Sequence, residues 1–360
     1  MTKRPNHFEL QEHRNVHNRP LMFFAGALAS ITLALPVAAC ADAQLVGAGS
    51  SFDYPFFSRA FFQYSEAHNG VSVDYQSIGS GAGIQQFTAK TVDFGASDVP
   101  MNAKELAAAS SSNGNVVQVP VALGGEAIAY NVPGAPADLH LTPDVLVAIF
   151  AGSITNWNDK AIAQLNPRAN LPNLPIITVH RADGSGTTYI FTDYLSHVSN
   201  SWKSQFGTGK SVNWPGAASL GAKGNEGVAG QVRNNPGAIG YVELSYAIEN
   251  GMTYAAIKNK SGAFVLPTLE SVRAAAAQKA TVNPGDFSIV DMNGATSYPI
   301  CGYSWVILWK HQPDATKGKA LVDLFNWMVS SGQSYAARLH YVPLPTSVQN
   351  AARKSLAAIR

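Results

Sequence analysis

The chain has 360 residues, of which 46% are apolar and 13% charged, and its length suggests two domains at roughly 100–200 residues each. This composition excludes intrinsic disorder, which combines low hydrophobicity with many charges, and a coiled coil, which is rich in Glu, Lys and Leu. Two cysteines are too few for a disulfide scaffold or a cysteine-rich zinc site. A net charge of +2 is too small to indicate nucleic acid or an acidic membrane as the main partner.

The N-terminus has the pattern of a secretory signal peptide. A polar, basic stretch is followed by an apolar run over 21–37 and then by small residues over 38–43. A membrane-spanning helix is the alternative, but 17 residues that include Ser30, Thr32 and Pro36 fall short of the ~20 apolar residues needed to cross a bilayer. We therefore predict a signal peptide over 1–41, with cleavage between 39 and 43.

Two cleavage patterns compete at this site. The sequence Val37-Ala38-Ala39-Cys40 could be a lipobox that makes Cys40 a lipidated N-terminus. Cleavage after Ala41 or Ala43 would instead remove this cysteine and release a soluble protein. The sequence leaves both open.

The rest of the chain alternates strand and helix patterns. Apolar alternation over 71–75 and a β-branched run over 176–180 predict strands. Helical patterns follow over 84–89 and 188–195, and Thr142-Pro143-Asp144 begins a helix that Gly152 ends. This alternation is typical of an α/β protein with mostly parallel or mixed sheets.

Gly- and Ser-rich loops occur at three of the predicted strand-to-helix junctions, over 47–51, 78–83 and 181–187. A helix N-terminus presents free N–H groups, glycine allows a close approach of the backbone, and serine adds a hydroxyl donor. Arg181 adds a planar guanidinium that suits an oxyanion. The three loops together predict an anion site.

These loops and two further segments resemble the periplasmic phosphate-binding proteins of bacterial phosphate-specific ABC transporters. The resemblance covers essentially the whole chain after the leader and is carried, in order, by GAGSSF (47–52), YQSIGSG (75–81), VDFGASD (92–98), RADGSGT (181–187) and PGAIGYVE (236–243).

The resemblance implies a two-lobed α/β binding protein of type II, with two mixed sheets flanked by helices and a ligand cleft between the lobes. The chain would cross between lobes near Tyr130 and near Ile300. Lobe I would consist of 44–129 and 301–360, and lobe II of 130–300. The lobes would open and close about the two crossings.

The resemblance also implies the ligand contacts. Matching positions are Ser51, Phe52, Ser80, Asp98, Arg181, Ser185, Gly186 and Thr187. Phe52 would donate its backbone N–H, and Asp183 would orient Arg181 without touching the ligand. Gly81 stands where many relatives have a second serine, which would remove a peripheral contact.

Asp98 requires an explanation, because a carboxylate repels an anion. Phosphate near neutral pH still carries a proton that it can donate to Asp98, which turns the repulsion into a charge-assisted hydrogen bond. Sulfate has no such proton. We therefore expect Asp98 to discriminate against sulfate by ~3 kcal/mol or more.

The implied function is capture of inorganic phosphate in the periplasm and delivery to an ABC permease and, through it, an ATPase. No catalysis, cofactor, metal or nucleic acid is expected. Three alternatives stay open at this point: a phosphatase using Ser80 or Ser185, a receptor for another oxyanion such as sulfate or molybdate, and an adhesion or surface role.

Overall fold

The computed structural model describes residues 43–216 and 218–360, so the predicted signal peptide and Cys40 lie outside the described residues. None of the helices in these two ranges combines the length and the apolar character needed to cross a membrane.

Twelve strands are formed by the described residues. They are β1 Ala43–Gly49, β2 Val71–Ser77, β3 Phe94–Ser97, β4 Val116–Tyr130, β5 His140–Leu141, β6 Ile177–Arg181, β7 Ser219–Ala222, β8 Ala238–Glu243, β9 Thr253–Tyr254, β10 Ala256–Lys258, β11 Phe264–Val265 and β12 Cys301–Trp309.

Twelve α-helices accompany them, with two short 3₁₀ turns at Ser331–Tyr335 and Ala337–Leu339. The helices are α1 Tyr54–Ala67, α2 Ser80–Thr88, α3 Ala103–Asn113, α4 Pro143–Phe150, α5 Lys160–Leu165, α6 Gly186–Val198, α7 Asn200–Gln205, α8 Gly224–Asn234, α9 Leu244–Glu249, α10 Leu269–Ala276, α11 Ala315–Met328 and α12 Thr346–Leu356.

The main sheet is mixed, with the strand order β2-β1-β3-β12-β4-β8-β6-β7 and with β9 also paired to β4. Strands β1, β2 and β3 are parallel, as are β6, β7 and β8, whereas β12 is antiparallel to both β3 and β4. A second sheet has the order β11-β10-β5.

The long strand β4 divides the main sheet into two regions. From Val116 to Gly125 it pairs with β12, and from Glu126 onward it pairs with β8 and β9. We call the part containing β1, β2, β3, β12 and the start of β4 the first sheet region, and the part containing the end of β4, β6, β7, β8 and β9 the second. The first residue of β12, Cys301, lies opposite Gly125.

The elements form where the apolar pattern predicts them. Helix α1 buries the aromatic side chains of Phe56, Phe57, Phe61 and Tyr64 and ends before Gly70, which has a φ of 84°. Helix α4 begins after Thr142, whose hydroxyl accepts the N–H of Val145 at 3.3 Å. Every residue of β12 is buried, as expected for a central strand.

Two predicted helix starts are too late. Helix α2 begins at Ser80 and not at position 84, and α6 begins at Gly186 and not at position 188. The pattern of apolar residues identifies a helix only from its first apolar position, but Ser185 already caps α6 by accepting the N–H of Thr188 at 3.0 Å. Ser80, Gly186 and Thr187 therefore lie in first helical turns rather than in loops.

Candidate functional site

The predicted site residues converge on the carboxyl ends of β1, β3 and β6 and on the helices that follow these strands. Ser51 and Phe52 lie between β1 and α1, Ser80 begins α2, and Asp98 follows β3 directly. Arg181 ends β6, and the segment 185–187 begins α6. All eight predicted ligand positions are buried. The structure thus brings together residues separated by up to 136 positions in the sequence, from Ser51 to Thr187.

Asp183 holds one edge of the Arg181 guanidinium through two contacts. Nε of Arg181 donates to Oδ1 of Asp183 at 2.8 Å, and Nη2 forms an ion pair with Oδ2. Burial would lower the pKa of Arg181, but the hydrogen bond and charge of Asp183 raise it above its ordinary value. Burial would raise the pKa of Asp183, but Arg181 lowers it below its ordinary value. Both groups are therefore charged at neutral pH.

Asn225 at the start of α8 orients two of the predicted hydroxyls. Its backbone N and its Nδ2 both donate to Oγ of Ser51, at 3.1 and 3.0 Å. Its Nδ2 also donates to Oγ1 of Thr187 at 3.1 Å, and Nη1 of Arg181 donates to the same oxygen at 3.2 Å. Each hydroxyl oxygen thus accepts two N–H bonds, which leaves its own proton free to be donated.

Ser80 has the same arrangement. Its Oγ accepts the backbone N–H of Asp98 at 3.3 Å and that of Gly186 at 3.1 Å. The nearest acceptor for its proton is Oδ2 of Asp98, at 3.5 Å. A contact of this length is weak, so the Ser80 proton is also available to a ligand.

The two oxygens of the Asp98 carboxyl differ. Oδ1 accepts from Ser50 Oγ at 2.5 Å and from Ser304 Oγ at 2.7 Å, whereas Oδ2 has only the long contact to Ser80. Burial raises the pKa of Asp98 to about 6, although the hydrogen bonds from Ser50 and Ser304 and the charge of Arg181 lower it. The Asp98 carboxyl is therefore ionised at neutral pH, and its Oδ2 can accept a further hydrogen bond.

Two predicted backbone donors are engaged within the protein. The N–H of Phe52 donates to Ser50 Oγ at 2.9 Å, and the N–H of Gly186 donates to Ser80 Oγ. In this arrangement both groups orient serine hydroxyls. A direct ligand contact by either one stays a prediction.

Sequence reasoning did not single out Ser50, Asn225 and Ser304. Ser50 adjoins a predicted site residue, and Asn225 follows Gly224 at another strand-to-helix junction, between β7 and α8. Both had a detectable signal. Ser304 lies inside the buried strand β12, where nothing in the local sequence distinguishes it.

No group of three or more His, Cys, Asp or Glu side chains that could hold a metal ion occurs among residues 43–216 and 218–360. The donors that the site offers are protons on hydroxyls and on one guanidinium, which suits an oxyanion.

Sequence comparisons agree with the anion site. The family model described as PBP superfamily domain matches residues 36–331. A protein of Pasteurella multocida (strain Pm70) named "Phosphate-binding protein PstS" is 46% identical over 307 residues, which cover 84% of this chain and 87% of the relative. A protein of the same name from Xylella fastidiosa (strain 9a5c) is 45% identical over 308 residues, with 85% and 82% covered.

Solved structures share the fold. A high-affinity periplasmic phosphate-binding protein, PfluDING, bound with phosphate at pH 8.5, has a TM-score of 0.72 at 24% identity and covers 86% of this chain and 93% of its own. A putative phosphate ABC transporter substrate-binding protein with bound phosphate from Clostridium perfringens has a TM-score of 0.62 at 19% identity, with 84% and 100% covered.

These matches confirm the predicted fold class, a two-lobed α/β binding protein with mixed sheets flanked by helices. The relatives bear the names of binding proteins and not of enzymes, which agrees with the non-catalytic prediction. By its family model and by relatives at 45–46% identity, the chain belongs to the PBP superfamily and, within it, to the PstS family of phosphate-binding proteins.

Proposed function

We propose that the protein captures inorganic phosphate between its two lobes and delivers it to an ABC permease. The observation that supports this proposal is the arrangement of hydrogen-bond donors and acceptors in the site. Ser51, Ser80 and Thr187 each have a hydroxyl proton to donate, and the underused oxygen of Asp98 is the acceptor among them. A tetrahedral anion that brings one proton of its own matches this set.

The direct ligand contacts in this proposal are those predicted from sequence, with Asp183 as the residue that orients Arg181. The ligand proton would be donated to Oδ2 of Asp98. Sulfate carries no proton at neutral pH, so a sulfate oxygen and Oδ2 of Asp98, both negatively charged acceptors, would face one another in a buried site. The site is thereby selective for phosphate.

The two sheet regions support a division into lobes. We place the crossings where β4 changes partner, between Gly125 and Glu126, and where β12 begins, between Ile300 and Cys301. Lobe I then contains 43–125 and 301–360, and lobe II contains 126–300. The first crossing lies ahead of Tyr130, the position expected from the sequence.

We also propose that the protein works in the periplasm and that the permease and its ATPase are its partners. The predicted signal peptide over 1–41 supports export, and the names of the structurally similar proteins include "periplasmic" and "ABC transporter". Lipidation at Cys40 and release as a soluble protein remain alternative predictions.

Titration calorimetry with phosphate and with sulfate tests the proposal on the wild type, Asp98→Asn and Asp74→Asn. Asp74 is an exposed acid of β2 and serves as the matched control. We expect the wild type and the control to bind sulfate at least about 100-fold more weakly than phosphate, and Asp98→Asn to narrow this ratio. Equal binding of both anions by the wild type, or full selectivity in Asp98→Asn, would contradict it.

A further inference from the structure

A second buried acid lies behind Asp98. Asp53 occupies the N-cap position of α1, but its side chain does not cap the helix. An N-cap aspartate ordinarily accepts an N–H from the first turn. The carboxyl of Asp53 is instead fully buried and reaches across to β12, where its Oδ2 lies 2.5 Å from Ser304 Oγ.

Ser304 thereby contacts two acids with one hydroxyl. Its Oγ lies 2.5 Å from Oδ2 of Asp53 and 2.7 Å from Oδ1 of Asp98. A serine hydroxyl has a single proton to donate. Two hydrogen bonds of this length to two carboxylates therefore need a second proton, and one of the two acids must carry it.

The surroundings assign this proton to Asp53. Oδ1 of Asp98 also accepts the Ser50 hydroxyl, and the charge of Arg181 favours the ionised form of Asp98. The other oxygen of Asp53, Oδ1, has no hydrogen-bond partner among the described residues. A protonated Asp53 donates to Ser304, and Ser304 then donates to Asp98.

The remaining groups around Asp53 agree with this assignment. Besides Asp98 it faces the phenols of Tyr75 on β2, Tyr246 on α9 and Tyr341 ahead of α12, all of which are neutral at physiological pH. Burial and the charge of Asp98 raise the pKa of Asp53 well above its ordinary value. The N-terminus of α1 favours the charged form, but this contribution is smaller than the cost of burying an unpaired charge.

We propose that Asp53 is a positioning residue for anion selection: it carries a proton, donates it to Ser304, and so directs the Ser304 hydroxyl to Asp98. The inference rests on the proposed function, in which Asp98 accepts the ligand proton. With two hydroxyls donating to Oδ1, Asp98 stays ionised and its Oδ2 remains the acceptor that faces the ligand.

The arrangement makes phosphate binding sensitive to alkaline pH. When Asp53 loses its proton, two carboxylates compete for the Ser304 hydroxyl, and a second negative charge lies behind the ligand. Phosphate binding therefore weakens above the pKa of Asp53. An asparagine at position 53 can donate its Nδ2 hydrogen to Ser304 but cannot ionise, so it lacks this dependence.

Infrared spectroscopy of the ligand-free protein tests the proton itself. At neutral pH we expect the wild type to show more absorption from protonated carboxylic acids than Asp53→Asn, by the equivalent of one group, and Asp74→Asn to match the wild type. Equal absorption in the wild type and Asp53→Asn would overturn the proposal, and this readout does not depend on phosphate binding.

Calorimetric titration with phosphate between about pH 6 and 9.5 tests the link to binding. The ionisation of phosphate affects both proteins equally, so we follow the ratio of the wild-type Kd to the Asp53→Asn Kd. This ratio should rise by up to about tenfold per pH unit above the pKa of Asp53. A ratio that stays constant over pH values at which the infrared absorption assigned to Asp53 is lost would overturn the proposal.

Ser304→Ala is the second variant. It removes the hydroxyl that joins the two acids, and we expect a phosphate affinity about tenfold lower than that of the wild type. An unchanged affinity in Ser304→Ala would contradict the proposed path. Absence of phosphate binding in the wild type would instead contradict the proposed function and leave the infrared test of Asp53 in force.

Discussion

At the residue scale, the acids behind the site resist ionisation. Glu243 at the end of β8 is fully buried; its Oε2 accepts the N–H of Ser245 at 2.8 Å, and its Oε1 has no partner among the described residues. Glu126 lies opposite it in the β4–β8 ladder, and neither of its carboxyl oxygens has a partner in those residues. Burial raises the pKa of Glu243 to about 8 and that of Glu126 well above its ordinary value.

We predict that Glu243→Gln is more stable than the wild type at neutral pH. Between the ordinary pKa of 4.5 and about 8, the folded state binds more protons at this position than the unfolded state. Stability of the wild type therefore falls as pH rises through this window, by at most about 1.4 kcal/mol per pH unit for one group. Glutamine removes this contribution.

Urea unfolding at pH 5, 6, 7 and 8 measures the effect. Glu66→Gln, on the exposed side of α1, is the control and should follow the wild type. A difference between Glu243→Gln and the wild type that stays constant from pH 5 to pH 8 would show that Glu243 does not titrate in this window.

The candidate site residues that the sequence indicated lie in local patterns, whereas the polar residues that join them through tertiary contacts gave no such signal. Ser51, Ser80 and Ser185 belong to Gly/Ser segments ahead of helices, where the need for N–H groups and close backbone approach restricts the residue types. Ser304 and Asp53 meet only because β12 lies beside the start of α1, 251 positions away in the sequence. No local propensity encodes such a pair.

At the scale of the element, the start of helix α6 determines how closely the two sheet regions approach. The Ser185 cap fixes the first turn, and Gly186 then lies against Asp98. A Cβ at position 186 would be 2.5 Å from the Cβ of Asp98, well inside van der Waals contact. Glycine is needed here because a side chain would not fit against Asp98. Its backbone conformation does not require glycine, since Gly186 does not have a positive φ.

We predict that Gly186→Ala weakens phosphate binding about 10- to 100-fold, because overpacking at this contact costs about 1–3 kcal/mol. The affected contact joins the two sheet regions, so the melting temperature without phosphate should change little. Calorimetry and thermal unfolding measure both quantities.

Gly230→Ala in α8 is the matched control. A Cβ at this position meets no atom within 4 Å, and alanine favours a helix over glycine by about 0.5–1 kcal/mol. The control should therefore be slightly more stable and bind phosphate like the wild type. Wild-type affinity in Gly186→Ala would show that closure does not need this approach.

The predicted alternation of strands and helices was sufficient for the fold class because each element has its own apolar pattern. The positions of the helix starts were less predictable. The first residues of α2 and α6, Ser80 and Gly186, are not apolar. The predicted helical patterns therefore start two to four residues after the helices themselves. Capping contacts such as that of Ser185 decide these boundaries.

At the scale of the whole molecule, an ion pair outside the anion site joins α3, which connects strands β3 and β4, to the segment between α7 and β7. Nζ of Lys210 lies 2.5 Å from Oε1 of Glu105, and the side chains are 16% and 21% exposed. Both partners are held in place. Glu105 belongs to the capping box of α3 with Asn102, and the backbone oxygen of Lys210 accepts the N–H of Ser185 at 2.8 Å.

We predict that this pair stabilises the closed form and contributes to phosphate affinity. A partly exposed ion pair contributes about 0.2–1 kcal/mol, so Lys210→Ala should raise the Kd by up to about fivefold. Glu105→Gln should act similarly, because glutamine keeps the capping box and removes only the charge. The effect should decrease as salt screens the charges.

A double-mutant cycle distinguishes a direct interaction from two independent effects. If the two side chains interact directly, Lys210→Ala should change the Kd less in the Glu105→Gln background than in the wild type. At about 1 M salt, where the screening length is only about 3 Å, Lys210→Ala should change the Kd equally in both backgrounds. Additive changes in affinity would mean that the two residues act separately. Since the pair is formed by the side chains of Lys210 and Glu105, neither of which is a predicted ligand contact, its loss should increase the dissociation rate while leaving the preference for phosphate over sulfate unchanged.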